Sequence, residues 1–253
     1  MIFLIIVFGL IGLAFGGVIG LLIGAGLGWG LGRYIGRRLN AARRQIQEGF
    51  LESIFSVMGC LCQADGKVTD DELSVAEKLF DQMHLQGKAR ANAQAAFERG
   101  RADSFDLEAE LAKVNRLTQR QPTLRQVFLQ VQLTAIAADG QLHPAEHEMI
   151  LRVARGIGCS DAEVQQIEAM LHGAAANSQG ASKEALEDAY RVLGVSDQAS
   201  DAEIKKAYRR LMSQNHPDKL AGKGLPESMR EVAQARTSEI GNAYERIREA
   251  RGT

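Results

Sequence analysis

From Met1 to Gly32 the chain carries no charged residue, a run longer than the roughly 20 apolar residues that a bilayer-spanning helix needs. The pattern predicts a single transmembrane helix over residues 1–36. It starts directly on apolar residues, without the basic n-region of a secretory signal. Within it Gly12, Gly16, Gly20, Gly24, Gly28, Gly32 and Gly36 recur at every fourth position, a strip of bare backbone along one side of the helix. Such a strip lets two helices approach closely, so pairing of the tether into a homodimer is expected. No charged residue lies between Met1 and Gly32 to line a pore.

A basic juxtamembrane segment, 37–48, separates the span from a region of different periodicity. Over 49–173 apolar residues return at helical spacing, and two stretches repeat at an offset of 74 residues: Gln63-Ala64-Asp65-Gly66 through Glu72, and Ala137-Ala138-Asp139-Gly140 through Glu146. Phe55, Met58, Leu61 and Cys62 precede the first turn, and Val75, Ala76, Leu79, Phe80 and Met83 follow it. Leu129, Leu133, Ile136 and Ala137 precede the second, and Met149, Ile150, Val153 and Ala154 follow. Each copy therefore reads as a helical hairpin, and two hairpins bury each other's apolar faces in one bundle. Asp-Gly supplies each turn. Thr69-x-x-Glu72 and Ser160-x-x-Glu163 are capping boxes that open helices, and Pro144 suits a first helical position.

Residues 174–182 are small and polar and read as a flexible linker that lets the remainder move. In the last part, 183–253, a short helix places Leu186, Ala189, Tyr190 and Leu193 on one face and ends at Gly194. Ser200-x-x-Glu203 caps a second helix, with Ile204, Ala207, Tyr208 and Leu211 inward and Lys205, Lys206, Arg209 and Arg210 outward. That helix ends near Asn215, because the residue before a proline is biased away from α geometry. A third helix, from about Glu227 to Arg248, carries Val232, Arg236, Ile240, Ala243, Tyr244 and Ile247 at helical spacing. The fold class is all-α throughout.

Charge adds a direction to this picture. The net charge of −1 gives no case for nucleic acid as a partner, but its distribution is uneven. Arg33, Arg37, Arg38, Arg43 and Arg44 face one Glu between Arg33 and Glu48. By the positive-inside rule the C-terminal side is cytoplasmic and the N-terminus periplasmic, as for a single-pass protein of an inner membrane. The three cysteines, Cys60, Cys62 and Cys159, are too few for a disulfide framework and suit a reducing compartment as buried thiols.

The double Ala-Asp-Gly arrangement resembles the TerB-like helical domain of tellurite-resistance proteins. That resemblance implies acidic, metal-binding positions, which fall here on Asp65, Glu72, Asp139 and Glu146. The same residues would also serve as caps and dipole partners at helix N-termini. In the C-terminal part Tyr190-Arg191-Val192-Leu193-Gly194-Val195, Ile204 to Leu211, His216-Pro217-Asp218-Lys219 and Ala243-Tyr244 resemble the J-domain of DnaJ-type co-chaperones. Joined to a membrane helix, the two modules are similar to membrane-anchored bacterial J-proteins. The resemblance implies a co-chaperone whose His216, Pro217 and Asp218 contact a DnaK-type chaperone and couple docking to ATP hydrolysis at the inner membrane, with a place in envelope stress signalling. Lys205, Lys206, Arg209 and Arg210 would steer an acidic partner surface. Two positions depart from the family pattern: Asn215, where an aromatic residue is usual, and Thr237, where phenylalanine is frequent.

The other reading is a membrane stress sensor whose bundle binds a metal ion or an oxyanion. Enzyme chemistry has little support. His143-Pro144-Ala145-Glu146-His147 matches H-x-x-E-H formally, but His143 falls at a cap position, outside the helix that would have to carry both histidines on one face. No nucleophile accompanies His216 and Asp218. No catalytic residue and no cofactor are expected.

Overall fold

The computed structural model describes residues 2–63, 70–119, 121–136, 144–176 and 183–252. All regular structure among them is helical, as the periodicity predicted. Two compact units are present, residues 1–48 and 49–253.

The first unit holds most of α1 (Ile2–Cys62), which is long and apolar enough to cross a membrane. The helix is not continuous. Gly16 (φ −139°, ψ 17°) and Gly17 (φ 57°, ψ −142°) leave helical geometry, and the Gly17 conformation is open in practice to glycine alone. The stretch before this kink folds back on the stretch after it. A Cβ on Gly12 would overlap the Gly20 carbonyl, one on Gly24 the Phe8 carbonyl, and one on Gly28 the Leu4 carbonyl. The glycine stripe is thus spent within the chain at Gly12, Gly20, Gly24 and Gly28, while Gly16 forms the bend and Gly36 faces open space. At the polar end of the apolar run, Arg33 lies over the Trp29 ring (5.3 Å) and Arg38 over Tyr34 (5.4 Å), a basic and aromatic girdle of the kind that marks a membrane interface.

The second unit begins with the end of α1. Phe50, Ile54, Phe55, Met58 and Leu61 are buried and are surrounded by α2 (Asp70–Gln82), α3 (Gly87–Gly100), α4 (Leu107–Thr118), α5 (Pro122–Ile136), α6 (Pro144–Ile157) and α7 (Asp161–Ala176). Phe55 packs on Phe80 (4.8 Å between centroids) and Phe50 meets Phe128 edge-on (5.9 Å). Helix α3 lies directly on α1, because a Cβ at Gly100 would overlap the Ser56 carbonyl and one at Gly59 the Phe97 carbonyl. Both hairpin partners predicted from the repeat, α1 with α2 and α5 with α6, are present, and α6 opens on Pro144 as expected. Ser160 and Glu163 form the predicted box at the start of α7: Ser160 N–H donates to Glu163 Oε2 (2.9 Å) and Glu163 N–H to Ser160 Oγ (3.3 Å). The turns 64–69 and 137–143 lie outside the described residues.

The C-terminal helices are α8 (Lys183–Leu193), α9 (Asp201–Asn215), α10 (Pro217–Gly222) and α11 (Arg230–Arg251), with a 3₁₀ turn at Glu227–Met229. Ser200 and Glu203 form the expected capping box. Two differences from the sequence reading stand out. Helix α10 was not anticipated: Pro217 occupies its first turn, where a missing N–H costs nothing. The last helix starts at Arg230 rather than Glu227, the intervening turn being 3₁₀.

These helices do not stand apart from the bundle. Ala169 and Met170 of α7 share an apolar cluster with Tyr190, Leu193, Ile204, Leu211, Ile240 and Ile247. In return Leu220, Leu225, Met229 and Ala233 join the core of the bundle. Gln166 Nε2 also donates to the Val192 carbonyl (2.7 Å). Of the expected linker, residues 174–176 continue α7, and 177–182 lie outside the described residues.

Candidate functional site

His216 sits at the junction of two helices and caps both, ending α9 and beginning α10 with φ −57° and ψ 128°. Its Nδ1 accepts the Asp218 N–H (3.2 Å), which leaves Nε2 carrying the proton and facing solvent in the neutral ring. Pro217 holds the backbone between them at a fixed φ. His216 and Asp218 are exposed, while Leu220, two residues on, is fully buried. The tripeptide is therefore an outward knuckle on an inward-anchored turn. Asp218 Oδ1 accepts from Arg230 Nη2 (2.9 Å), and Arg230 also donates to Glu227 (3.1 Å). Lys219 Nζ donates to Ser213 Oγ, tying the turn back to α9.

Lys205, Lys206, Arg209 and Arg210 all lie exposed on α9, as the spacing predicted. They share the helix whose C-terminus carries His216, so the basic residues and the tripeptide belong to one helix and the turn that ends it. Tyr208 stacks flat on Tyr244 (4.2 Å, 11° between planes) and fixes α9 against α11. Arg251 closes the other end, donating to the Tyr190 hydroxyl (2.8 Å), the Ala199 carbonyl (2.7 Å), the Asp197 carbonyl (2.7 Å) and Asp201 Oδ1 (2.8 Å).

The departure at Asn215 has a structural reason. Its side chain is 1% exposed; Nδ2 donates to the Leu211 carbonyl (2.8 Å) and Oδ1 accepts from Arg236 Nε (2.7 Å). Arg236 is itself completely buried, and Nη1 and Nη2 donate to Gln130 Oε1 (2.8 Å) and Gln126 Oε1 (2.9 Å) of α5. Burial lowers the Arg236 pKa to about 10, against an upward pull from Cys159 and Glu163, so the guanidinium is still charged at neutral pH. Helical spacing had placed Arg236 on the inward stripe of the last helix. What the pattern lacked was its acceptors, because Gln126 and Gln130 lie about a hundred residues away in sequence.

For the proposed metal positions, Asp65 and Asp139 and the side chains of Glu72 and Glu146 lie outside the described residues, as does His143. Among the described residues no group of His, Cys, Asp and Glu is arranged to hold a metal ion. His147 instead lies 3.2 Å from Glu168 of α7. No disulfide joins Cys60, Cys62 or Cys159. Burial, with Glu163 nearby, raises the Cys159 pKa to about 12, so this thiol is inert.

The exposed His-Pro-Asp turn at the end of a basic helix, closed by an antiparallel helix partner, defines a J-domain set on a helical bundle. Comparison with known proteins agrees module by module. The family described as tellurite resistance protein TerB matches residues 52–169, and the DnaJ domain family matches 188–251. Curated relatives match over most of their length. A co-chaperone protein DjlA from Photobacterium profundum is 40% identical over 228 residues, covering 85% of this chain and 82% of its own. One from Vibrio cholerae is 39% identical over 225 residues (81% and 79%), and one from Salmonella typhimurium 38% over 224 (84% and 83%). The chain belongs to the DjlA family of co-chaperones. No solved structure matches it.

Proposed function

We propose that the chain anchors a DnaK-type chaperone at the cytoplasmic face of the inner membrane and stimulates its ATPase, taking part in envelope stress signalling, without hydrolysing anything itself. The observation that carries this reading is the solvent-facing His216-Pro217-Asp218 turn at the end of the helix that exposes Lys205, Lys206, Arg209 and Arg210. The basic side chains accelerate and orient encounter with an acidic surface, and the rigid turn supplies the contact that docking alone lacks. Single-turnover ATP hydrolysis by a DnaK-type chaperone tests it: the full-length wild type raises the rate and His216→Gln does not. Equal rates for the two, or no stimulation by wild type, overturn the proposal.

The charge asymmetry and the Trp29–Arg33 and Tyr34–Arg38 girdle support a span that ends near Gly36, with the N-terminus periplasmic. The folded-back leg, Ile2 to Phe15, is about 21 Å long at ~1.5 Å per residue. That falls short of a hydrocarbon core of about 30 Å, whereas the straightened segment crosses it. In a bilayer the Gly16-Gly17 bend therefore opens, which frees the glycine stripe for a second copy of the chain. Labelling of a cysteine placed at Phe3 from the periplasmic side only is the expected result; labelling from the cytoplasm alone would establish the hairpin instead.

A further inference from the structure

Arg236 is a buried cation whose hydrogen-bonded acceptors are three amide oxygens rather than a carboxylate: Asn215 Oδ1, Gln130 Oε1 and Gln126 Oε1. A carboxylate lies one step further out, where Glu163 Oε1 accepts from Gln126 Nε2 (2.7 Å). Such an arrangement is directional, because the planar guanidinium meets each acceptor only in its own plane. It is also placed where direction matters. Asn215 is the residue before His216, so the fork joins the last residue of α9 to helix α5 of the bundle. Beside it, Leu220, Leu225, Met229 and Ala233 sit in the bundle's core, so the apolar underside of the turn is supplied by the middle module. The aromatic residue that the family pattern leads one to expect before the histidine is replaced here by a polar group with a partner.

We propose that Arg236 is a positioning residue for the His216-Pro217-Asp218 turn, and that through it Gln126 and Gln130 of the middle bundle belong to the unit that stimulates the chaperone. The inference rests on the co-chaperone reading above. It distinguishes the bundle as a functional brace from the bundle as a separate module carried on the same chain. The basic face of α9 plays no part in the fork, so docking and stimulation should separate when the fork is cut.

The test uses full-length protein in lipid nanodiscs with a DnaK-type chaperone, comparing wild type, Arg236→Lys, Arg236→Met, Gln130→Leu and the double variant Arg236→Met with Gln130→Leu. The maximal stimulated single-turnover rate is expected to fall about tenfold in each, as small misplacements of a reacting group do, while the concentration giving half-maximal stimulation stays within about twofold. The double variant is expected to be no worse than either single one, because both changes cut one interaction. Hydrogen exchange of the amides at 216–224 is expected to quicken in all four variants. If Arg236→Met does not fold, Arg236→Lys and Gln130→Leu decide, since both keep the buried volume nearly constant. Wild-type stimulation in Arg236→Lys and Gln130→Leu overturns the proposal, and so does unchanged exchange at 216–224. If wild type and His216→Gln are alike in the ATPase assay, it is the co-chaperone reading that falls, and the exchange measurement alone then decides whether Arg236 holds the turn.

Discussion

The two ends of helix α1 pack in opposite senses. Before Gly36 the large side chains point outward: Ile19, Leu22, Ile23 and Leu27 are mostly exposed, while Gly24 and Gly28 are buried against backbone. After Gly49 the order reverses, and Phe50, Ile54, Phe55 and Met58 are enclosed. In both stretches glycine brings backbones into contact, Gly12 with Gly20 in the first and Gly100 with Ser56 in the second. What differs is the company. In water, burying large apolar side chains drives association, and glycine only permits a closer approach. In lipid the side chains gain nothing by leaving the surroundings, so close backbone packing has to supply the attraction, and with the bend open the same stripe offers it to a second chain.

That contrast predicts where substitutions hurt. The largest effect is expected from Phe55→Ala, which removes a fully enclosed ring packed on Phe80 and should cost about 3–5 kcal/mol. Leu22→Ala, equally apolar, should leave unfolding of the bundle unchanged in urea titrations of the detergent-solubilised protein. A midpoint shift of similar size in both would break the comparison. Next come the glycines. Gly100→Val forces α3 away from α1 and should lower stability by about 1–3 kcal/mol. Gly20→Leu and Gly24→Leu should leave that stability intact and abolish cysteine cross-linking between two chains in membranes. Persistent cross-linking would mean that the stripe does not pair chains.

The smallest effect is electrostatic and confined to the bundle. Burial tends to raise the Glu163 pKa, but hydrogen bonds from the Ser160 backbone, Gln126 and the Ser160 hydroxyl outweigh it and hold the carboxyl below its ordinary 4.5. A depressed carboxyl pKa stabilises the fold above the unfolded-state value, and this contribution is lost as pH falls through the folded-state value. Glu163→Gln should therefore lower stability slightly at neutral pH and flatten the further loss below about pH 4.5, where the two proteins converge. An identical acid profile in urea midpoints would show that the Ser160–Glu163 box contributes nothing through charge.

Local pattern was enough for much of this protein. The charge-free run, the capping boxes at Ser160 and Ser200, the opening of α6 at Pro144 and the outward basic face of α9 all follow from interactions within four residues along the chain. The end of α9 before Pro217 was legible for the same reason, whereas the His216 cap and helix α10 were not foreseen, and the role of His216-Pro217-Asp218 came through the family resemblance. Only the tertiary structure decided that the stripe folds back at Gly16-Gly17, that Leu220 and Met229 belong to the bundle's core, and that Arg236 finds its acceptors on α5. Each of these depends on partners remote in sequence, whose meeting reflects the packing of whole helices. A buried arginine on an apolar stripe shows in the sequence as an irregularity, and its satisfaction by Asn215, Gln126 and Gln130 exists only once the two modules have come together.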